Sequence, residues 1–171
     1  RGKLKTCEIY SNEKAGVVIK TEGDPLLSNC AIFCNEDHGI IVLEDGKGHI
    51  GYSRIYENSG PGVEIKGKAS LVLLHCEINN NEEVGVKVTL GGGGLIEECR
   101  VYKNKFSGVE VEHQGNPTLR NCKVNLNRQK GVWVHSKGTG TFEGCDLTGN
   151  LEGAWEIHPA CKVQLIGKKL A

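Results

Sequence analysis

Apolar residues along this chain come in short bursts that alternate with polar ones, and the bursts recur at a fixed interval. In the first full period they stand at Cys7 and Ile9, at Val17 and Ile19, and at Leu27, with polar or glycine-containing turns between them. Alternation of this kind is the signature of a strand with one buried face, and no segment is long or periodic enough to predict a helix. The interval is 23 residues throughout. Cys7, Cys30, Cys76, Cys99, Cys122 and Cys145 share one phase, with Ser53 in the gap. Asparagine follows five residues on, at Asn12, Asn35, Asn58, Asn81, Asn104, Asn127 and Asn150. Glycine stands four further on, at Gly16, Gly39, Gly62, Gly85, Gly108 and Gly131, with Ala154 in the last copy. No residue is inserted or deleted between copies.

Three short strands per period, stacked in register, predict an all-β, single-stranded right-handed parallel β-helix of about seven 23-residue coils. At one strand spacing per coil, about 4.8 Å, the rod is roughly 30–35 Å long. Alternation assigns the inward rows: Ile9 to Leu147, Val17 to Trp155, Ile19 to Ile157 and Leu27 to Leu165, each stepping by the period. One coil cannot bury its apolar residues alone, so stability comes from stacking on neighbours. The asparagines suit sharp turns and a side-chain amide ladder, and the glycines suit left-handed or cramped backbone. A leucine-rich repeat has a similar period. Its pattern wants an apolar residue two after the Asn, where this chain has Lys14, Asp37, Gly60, Glu83, Phe106, Gln129 and Glu152.

Most cysteines share the inward parity of the isoleucine row, which predicts buried thiols rather than a disulfide scheme and favours a reducing compartment. Cys34 and Cys161 fall off the grid and are the expected exposed thiols. The absence of a paired C-x-x-C argues against structural zinc. Formal net charge is zero, with 21 basic and 21 acidic residues, so no global field draws the chain to nucleic acid. No apolar stretch approaches a membrane span. The sequence starts at Arg1 and contains no methionine, which reads as one β-helix domain, residues 1–171, cut from a longer polypeptide.

Candidate chemistry lies on the outward rows. One face of the second strand presents Val18, Ile41 and Leu43, then a charged middle with Glu110 and Glu112, then Trp133, His135 and His158. An outward Trp is a common interface anchor, so Trp133, His135, His158, Glu110, Glu112, Ile41 and Leu43 form the candidate binding face. Glu112, His135 and His158 fall in successive coils, but without a fourth ligand they are not assigned a metal. A second row, Tyr10, Phe33, Tyr56 and Tyr102, is a candidate aromatic ladder for sugar rings. The acidic turn residues Glu13, Glu36, Asp37, Glu82 and Glu83 read as a solvated surface rather than a catalytic carboxylate pair. Gly91 to Gly94 lacks the Lys-Ser/Thr of a phosphate loop and reads as a turn. No catalytic residue and no cofactor is expected.

The phrase A-G-V-x-I-K-T (Ala15 to Thr21) with G-D-P-L (Gly23 to Leu26), followed by Gly39 to Ile50 and later by G-N-P-T-L (Gly115 to Leu119), resembles a known repeat class. It is similar to the β-helix repeats of F-box-only ubiquitin-ligase substrate receptors and of the Shc SH2-domain-binding (Nessun Dorma-like) proteins. The cysteine row, where the first group more often has Asn, sits closer to the second. The resemblance implies a protein-interaction or substrate-recognition module, intracellular and cytoplasmic, with the nucleus or midbody as further locations and cytokinesis as a context. Its alternative is a glycan-binding module. The loop-free coils argue against a third option, a polysaccharide lyase, hydrolase or epimerase. The Asp-Pro-His-Glu string associated with epimerases is absent, since Leu26 and Leu27 follow Asp24 and Pro25.

Overall fold

The computed structural model describes residues 2–167. Each interior coil contributes one strand to each of three parallel sheets, and the strand pairings join residues one period apart. The first sheet has eight strands, from Lys3–Lys5 to Lys162–Ile166. The second has six, from Glu8–Tyr10 to Lys123–Asn125, and the third has seven, from Val17–Ile19 to Trp155–Ile157. Among the described residues there is no helix. Strands of three or five residues are too short to stand alone, and only stacking makes them a sheet.

The inward rows occupy the positions that the alternation assigns. Ile32, Ile55, Ile78, Val101, Val124 and Leu147 are fully buried, as are the interior members of the other rows. The first and last coils described are less buried. Ile9, Val17, Trp155 and Ile157 are only partly buried, and Leu165, expected inside, is 45% exposed. Trp155 meets Phe142 edge to face at 5.2 Å. The grid cysteines Cys76, Cys99, Cys122 and Cys145 are buried and unpaired, their thiols donating to backbone carbonyls such as Ile96 O (3.2 Å from Cys122 Sγ). Hydrogen bonding to neighbouring thiols, together with burial, pushes Cys99 and Cys145 up, so these remain neutral thiols. Cys34 is exposed and Cys161 half-buried.

The asparagine row is a continuous ladder. From Asn12 to Asn127, each side-chain amide donates to the next Asn Oδ1 at 2.8–3.0 Å. From Asn35 onward it also donates to a carbonyl of the preceding coil, as Asn81 does to Ile55 O at 3.3 Å.

Of the two uses expected for the glycine row, left-handed or cramped backbone, the structure shows the second. The corners with positive φ are filled mostly by other residues: Thr6, Asn29, Tyr52, His75, Glu98 and Asn121 at one bend, Ser11, Cys34, Glu57, Asn80, Lys103 and Leu126 at another. None of the row glycines has a positive φ. They are required by crowding. A Cβ on Gly85 would lie 2.4 Å from Val101 Cγ1, 2.6 Å from Gly108 O and 2.7 Å from Asn104 Nδ2. The crowding atoms belong to the following coil. Ala154 carries a methyl at this position in the last coil described.

Candidate functional site

The outer face of the third sheet carries the densest group of ionisable side chains. Because Glu110 pairs with Trp133 and with Lys87 across the ladder, side chains one coil apart stand directly over one another. Strand Val109–Val111 points Val109 and Val111 inward and Glu110 outward, and Glu112 follows on the same side. His135 Nε2 lies 3.0 Å from Glu110 Oε1 and 3.7 Å from Glu112 Oε2. On the opposite flank, Lys87 Nζ lies 3.1 Å from Glu112 Oε1 and 3.9 Å from Glu110 Oε1. His113 Nδ1 approaches Glu112 Oε2 at 3.3 Å. The Trp133 ring packs on the His135 imidazole with centroids 4.1 Å apart, and Ser136 Oγ bonds His135 Nδ1 at 2.9 Å.

A second group sits toward the other end of the same face. His38 Nε2 lies 2.8 Å from Glu64 Oε2 and its Nδ1 lies 2.6 Å from Asp37 Oδ1, while Lys66 Nζ stands 3.0 Å from Glu64 Oε2. Glu64 and Glu110 are only 7% and 8% exposed, so both carboxylates need these partners. Burial alone would raise Glu64, but the hydrogen bonds and charges of His38 and Lys66 outweigh it and hold the carboxyl below its usual range. The Glu112 carboxyl is likewise lowered: burial opposes the shift, and Lys87, His113 and His135 drive it. Burial would lower Lys87, but Glu112, Glu110 and Glu64 raise it. The same contest raises His38: burial opposes, Glu64 and Asp37 prevail.

Of the residues singled out from sequence, the structure brings Glu110, Glu112, Trp133 and His135 together. His158 lies one coil beyond, where its Nδ1 accepts from the Ala160 N–H at 3.2 Å; it shares an open groove of about 540 Å³ with Trp133 and His135. A second groove of about 520 Å³, lined by Leu90, His113 and Ser136, borders the charged group on the turn side. Ile41 and Leu43 are partly buried three coils before Glu110 and Glu112 and do not join them. Lys87, Glu64 and Lys66 belong to the charged middle of this face but were not among the candidate binding residues, and neither was His38. The alternating signs of Glu64, Lys87 and Glu110 along one row were the available signal.

The aromatic ladder is a stack. Tyr10, Phe33 and Tyr56 lie face to face with centroids 4.9 Å apart, which leaves ring edges, and one face of Tyr10, to a ligand. Tyr102 is separate, because Asn79 occupies the coil between. Its hydroxyl donates to Glu77 Oε2 at 3.2 Å and its ring lies under Arg100 at 5.0 Å. The acidic turn residues Glu13, Glu36, Glu82 and Glu83 are exposed, and Glu82 is ion-paired with Lys105.

The family described as the right handed beta helix region matches residues 15–169. The chain belongs to this family. No curated protein matches the sequence. Among solved structures, this β-helix is similar to the periplasmic alginate epimerase AlgG, with 17% identity, a TM-score of 0.86, and coverage of 98% of this chain and 46% of that one. It is similar to the A-module of the mannuronan C-5 epimerase AlgE4 of Azotobacter vinelandii, at 13% identity and TM-score 0.78, covering 96% and 53%. Pectate lyase Pel9A also matches, at 14% identity and TM-score 0.68, covering 96% and 50%. This β-helix chain thus spans about half the length of each. At these identities the likeness establishes the fold.

These matches correct one expectation. Loop-free coils argued for a non-enzyme, yet the β-helices that match this one bear the names of epimerases and a lyase. The physical reason is visible on the third sheet: stacking in register brings acid, base and cation to within hydrogen-bond distance without any long loop. The matches give no support to the F-box or Shc-binding assignment, nor to a protein partner.

Proposed function

We propose that this β-helix is a polysaccharide-active protein that lays a glycan chain along the outer face of the third sheet and acts on it at Lys87, Glu110, Glu112 and His135. One observation carries the reading. Two carboxylates are flanked by an imidazole on one side and an ammonium on the other, each 3.0–3.9 Å from both, between two open grooves on one sheet face. The names of the structural neighbours, alginate and mannuronan epimerases and a pectate lyase, support the substrate class.

A rod whose coils repeat at about 4.8 Å presents equivalent positions at intervals comparable to the width of one sugar ring, which suits a linear polymer aligned with the axis. Lys87 offers a fixed positive charge to an acidic sugar. His135, poised between solvent and Glu110, can take or return a proton at a sugar carbon or ring substituent. Glu110 and Glu112 orient His135 and Lys87. The absent Asp-Pro-His-Glu string means that this chemistry rests on a different set of side chains.

The test is incubation with alginate, polygalacturonate and a neutral glucan. Ultraviolet absorbance detects unsaturated ends from a lyase, and proton NMR detects epimerised residues. Retarded migration in glycan-containing native gels reports binding. Turnover of an acidic polymer that is lost in His135→Ala and Lys87→Ala is expected. Absence of both binding and turnover on all three polymers would refute the proposal, and binding without turnover would reduce it to a glycan-binding module.

A further inference from the structure

We infer that Glu110, Glu112 and His135 form a binding site for a divalent transition-metal ion of the zinc or cobalt type. One ligand atom from each lies within 4.8 Å of the others, the one such group of three among the described residues. The two separations from the imidazole bracket the value a metal requires. Two ligands at about 2.1 Å from a tetrahedral ion stand about 3.4 Å apart, and His135 Nε2 lies 3.0 and 3.7 Å from the two carboxylate oxygens. The ion would take the place between Nε2 and the carboxylates that a proton otherwise fills.

The surroundings hold those atoms in position. Ser136 Oγ engages the other ring nitrogen of His135 at 2.9 Å, the outer-shell contact that orients a metal-bound imidazole. Trp133 packs on the ring at 4.1 Å. Lys87 divides the Glu112 carboxylate, holding Oε1 and leaving Oε2 toward His135. One imidazole and two carboxylates suit zinc, cobalt, nickel or manganese. Calcium, which takes six to eight oxygens, is a poor fit to three ligands that include a ring nitrogen. Three protein ligands leave a coordination position open, as in metal sites that bind a further ligand. The site overlaps the proposed glycan site, but its test contains no glycan, so either claim can fail alone.

Lys87 supplies the discriminating variant. Its ammonium stands beside both carboxylates and opposes a second cation, so Lys87→Gln should bind metal more tightly, on the order of tenfold, a gain that misfolding cannot mimic. The experiment is calorimetric titration of chelator-treated protein with Zn²⁺ and Co²⁺, with Trp fluorescence followed during Co²⁺ addition. One equivalent of ion and quenching of Trp133 are expected, both weakened at least tenfold in His135→Gln and Glu112→Gln. Trp133→Phe should abolish the quenching and keep the binding. No stoichiometric binding, binding unaltered by His135→Gln, weaker binding in Lys87→Gln, or Ca²⁺ bound more tightly than Zn²⁺ would overturn the inference.

Discussion

Truncating Asn81 to alanine tests whether the asparagine ladder holds the coils together. Asn81 is 1% exposed. Its Oδ1 accepts from the Asn58 backbone N–H at 3.1 Å and from Asn58 Nδ2 at 2.9 Å, and its own Nδ2 donates to Asn104 Oδ1 at 3.0 Å and to Ile55 O at 3.3 Å. Asn104 Oδ1 would keep the bond from the residue-81 backbone N–H, and Asn58 Nδ2 would keep its second partner, Ile32 O. The alanine variant therefore orphans the Asn58 N–H outright and leaves the Asn58 amide, the Asn104 Oδ1 and the Ile55 carbonyl each short of one bond in a dry interior. Orphaned buried groups cost roughly 1–3 kcal/mol each. With three partial losses beside one full loss, the expected destabilisation is about 3–5 kcal/mol. Asn12 is the internal control, since it is exposed and its side chain makes a single ladder bond; Asn12→Ala should cost about 0.5–1 kcal/mol. Urea unfolding followed by far-ultraviolet circular dichroism measures both. Equal costs at the two positions, or an Asn81→Ala cost below about 1 kcal/mol, would refute the reasoning that buried amide satisfaction stabilises the stack.

Three further outcomes follow from other parts of the fold. Gly85→Ala should destabilise by about 1–3 kcal/mol through overpacking, whereas Ala154→Gly, in the last coil, should cost less than about 1 kcal/mol; equal shifts in unfolding midpoint would contradict the crowding account. Ser107 Oγ is the one buried side-chain polar atom without a hydrogen-bond partner among the described residues, so Ser107→Ala should leave stability unchanged or raise it by about 1 kcal/mol; a clear loss would show that the hydroxyl has a partner. His38, raised by Glu64 and Asp37 against burial, contributes stability that is full below its unfolded value of about 6.5 and lost as pH rises through its higher folded value. Glu64, lowered in the fold, contributes stability that disappears on the acid side. Melting temperature should therefore fall on alkalinisation above about pH 6.5, and His38→Gln should flatten that decline. An unchanged slope in His38→Gln would remove the pair from the account.

How much of this was legible beforehand depends on whether a residue's role repeats. Cys99, Asn104, Gly108, Val109 and Val111 each stand in a row whose members meet the same neighbours in every interior coil, so one reading serves them all. For Gly108 the sequence left two uses open, left-handed or cramped backbone, and the choice falls on the second because its constraint comes from Val124 Cγ1, Asn127 Nδ2 and Gly131 O in the next coil. The left-handed corners went unread for a related reason. Tyr52 and Leu126 are not residues that choose positive φ, yet the Tyr52 N–H bonds Leu74 O and the Leu126 N–H bonds Gly149 O across the stack, and these bonds hold the strained corner.

The candidate site breaks the repeat, and so it was half visible. Glu110, Glu112, Trp133 and His135 could be placed on one face from parity alone, whereas Lys87 and His38 gained meaning only when their partners were measured. The sequence by itself determined the period, the inward rows and the parallel stacking, because each is a pattern of residue types at fixed separation. The tertiary structure decided which charges meet, which carboxylates are buried, and which end-coil residues stay exposed. Those depend on side-chain reach between coils and on where the stack stops, and neither is encoded in the pattern of any single coil.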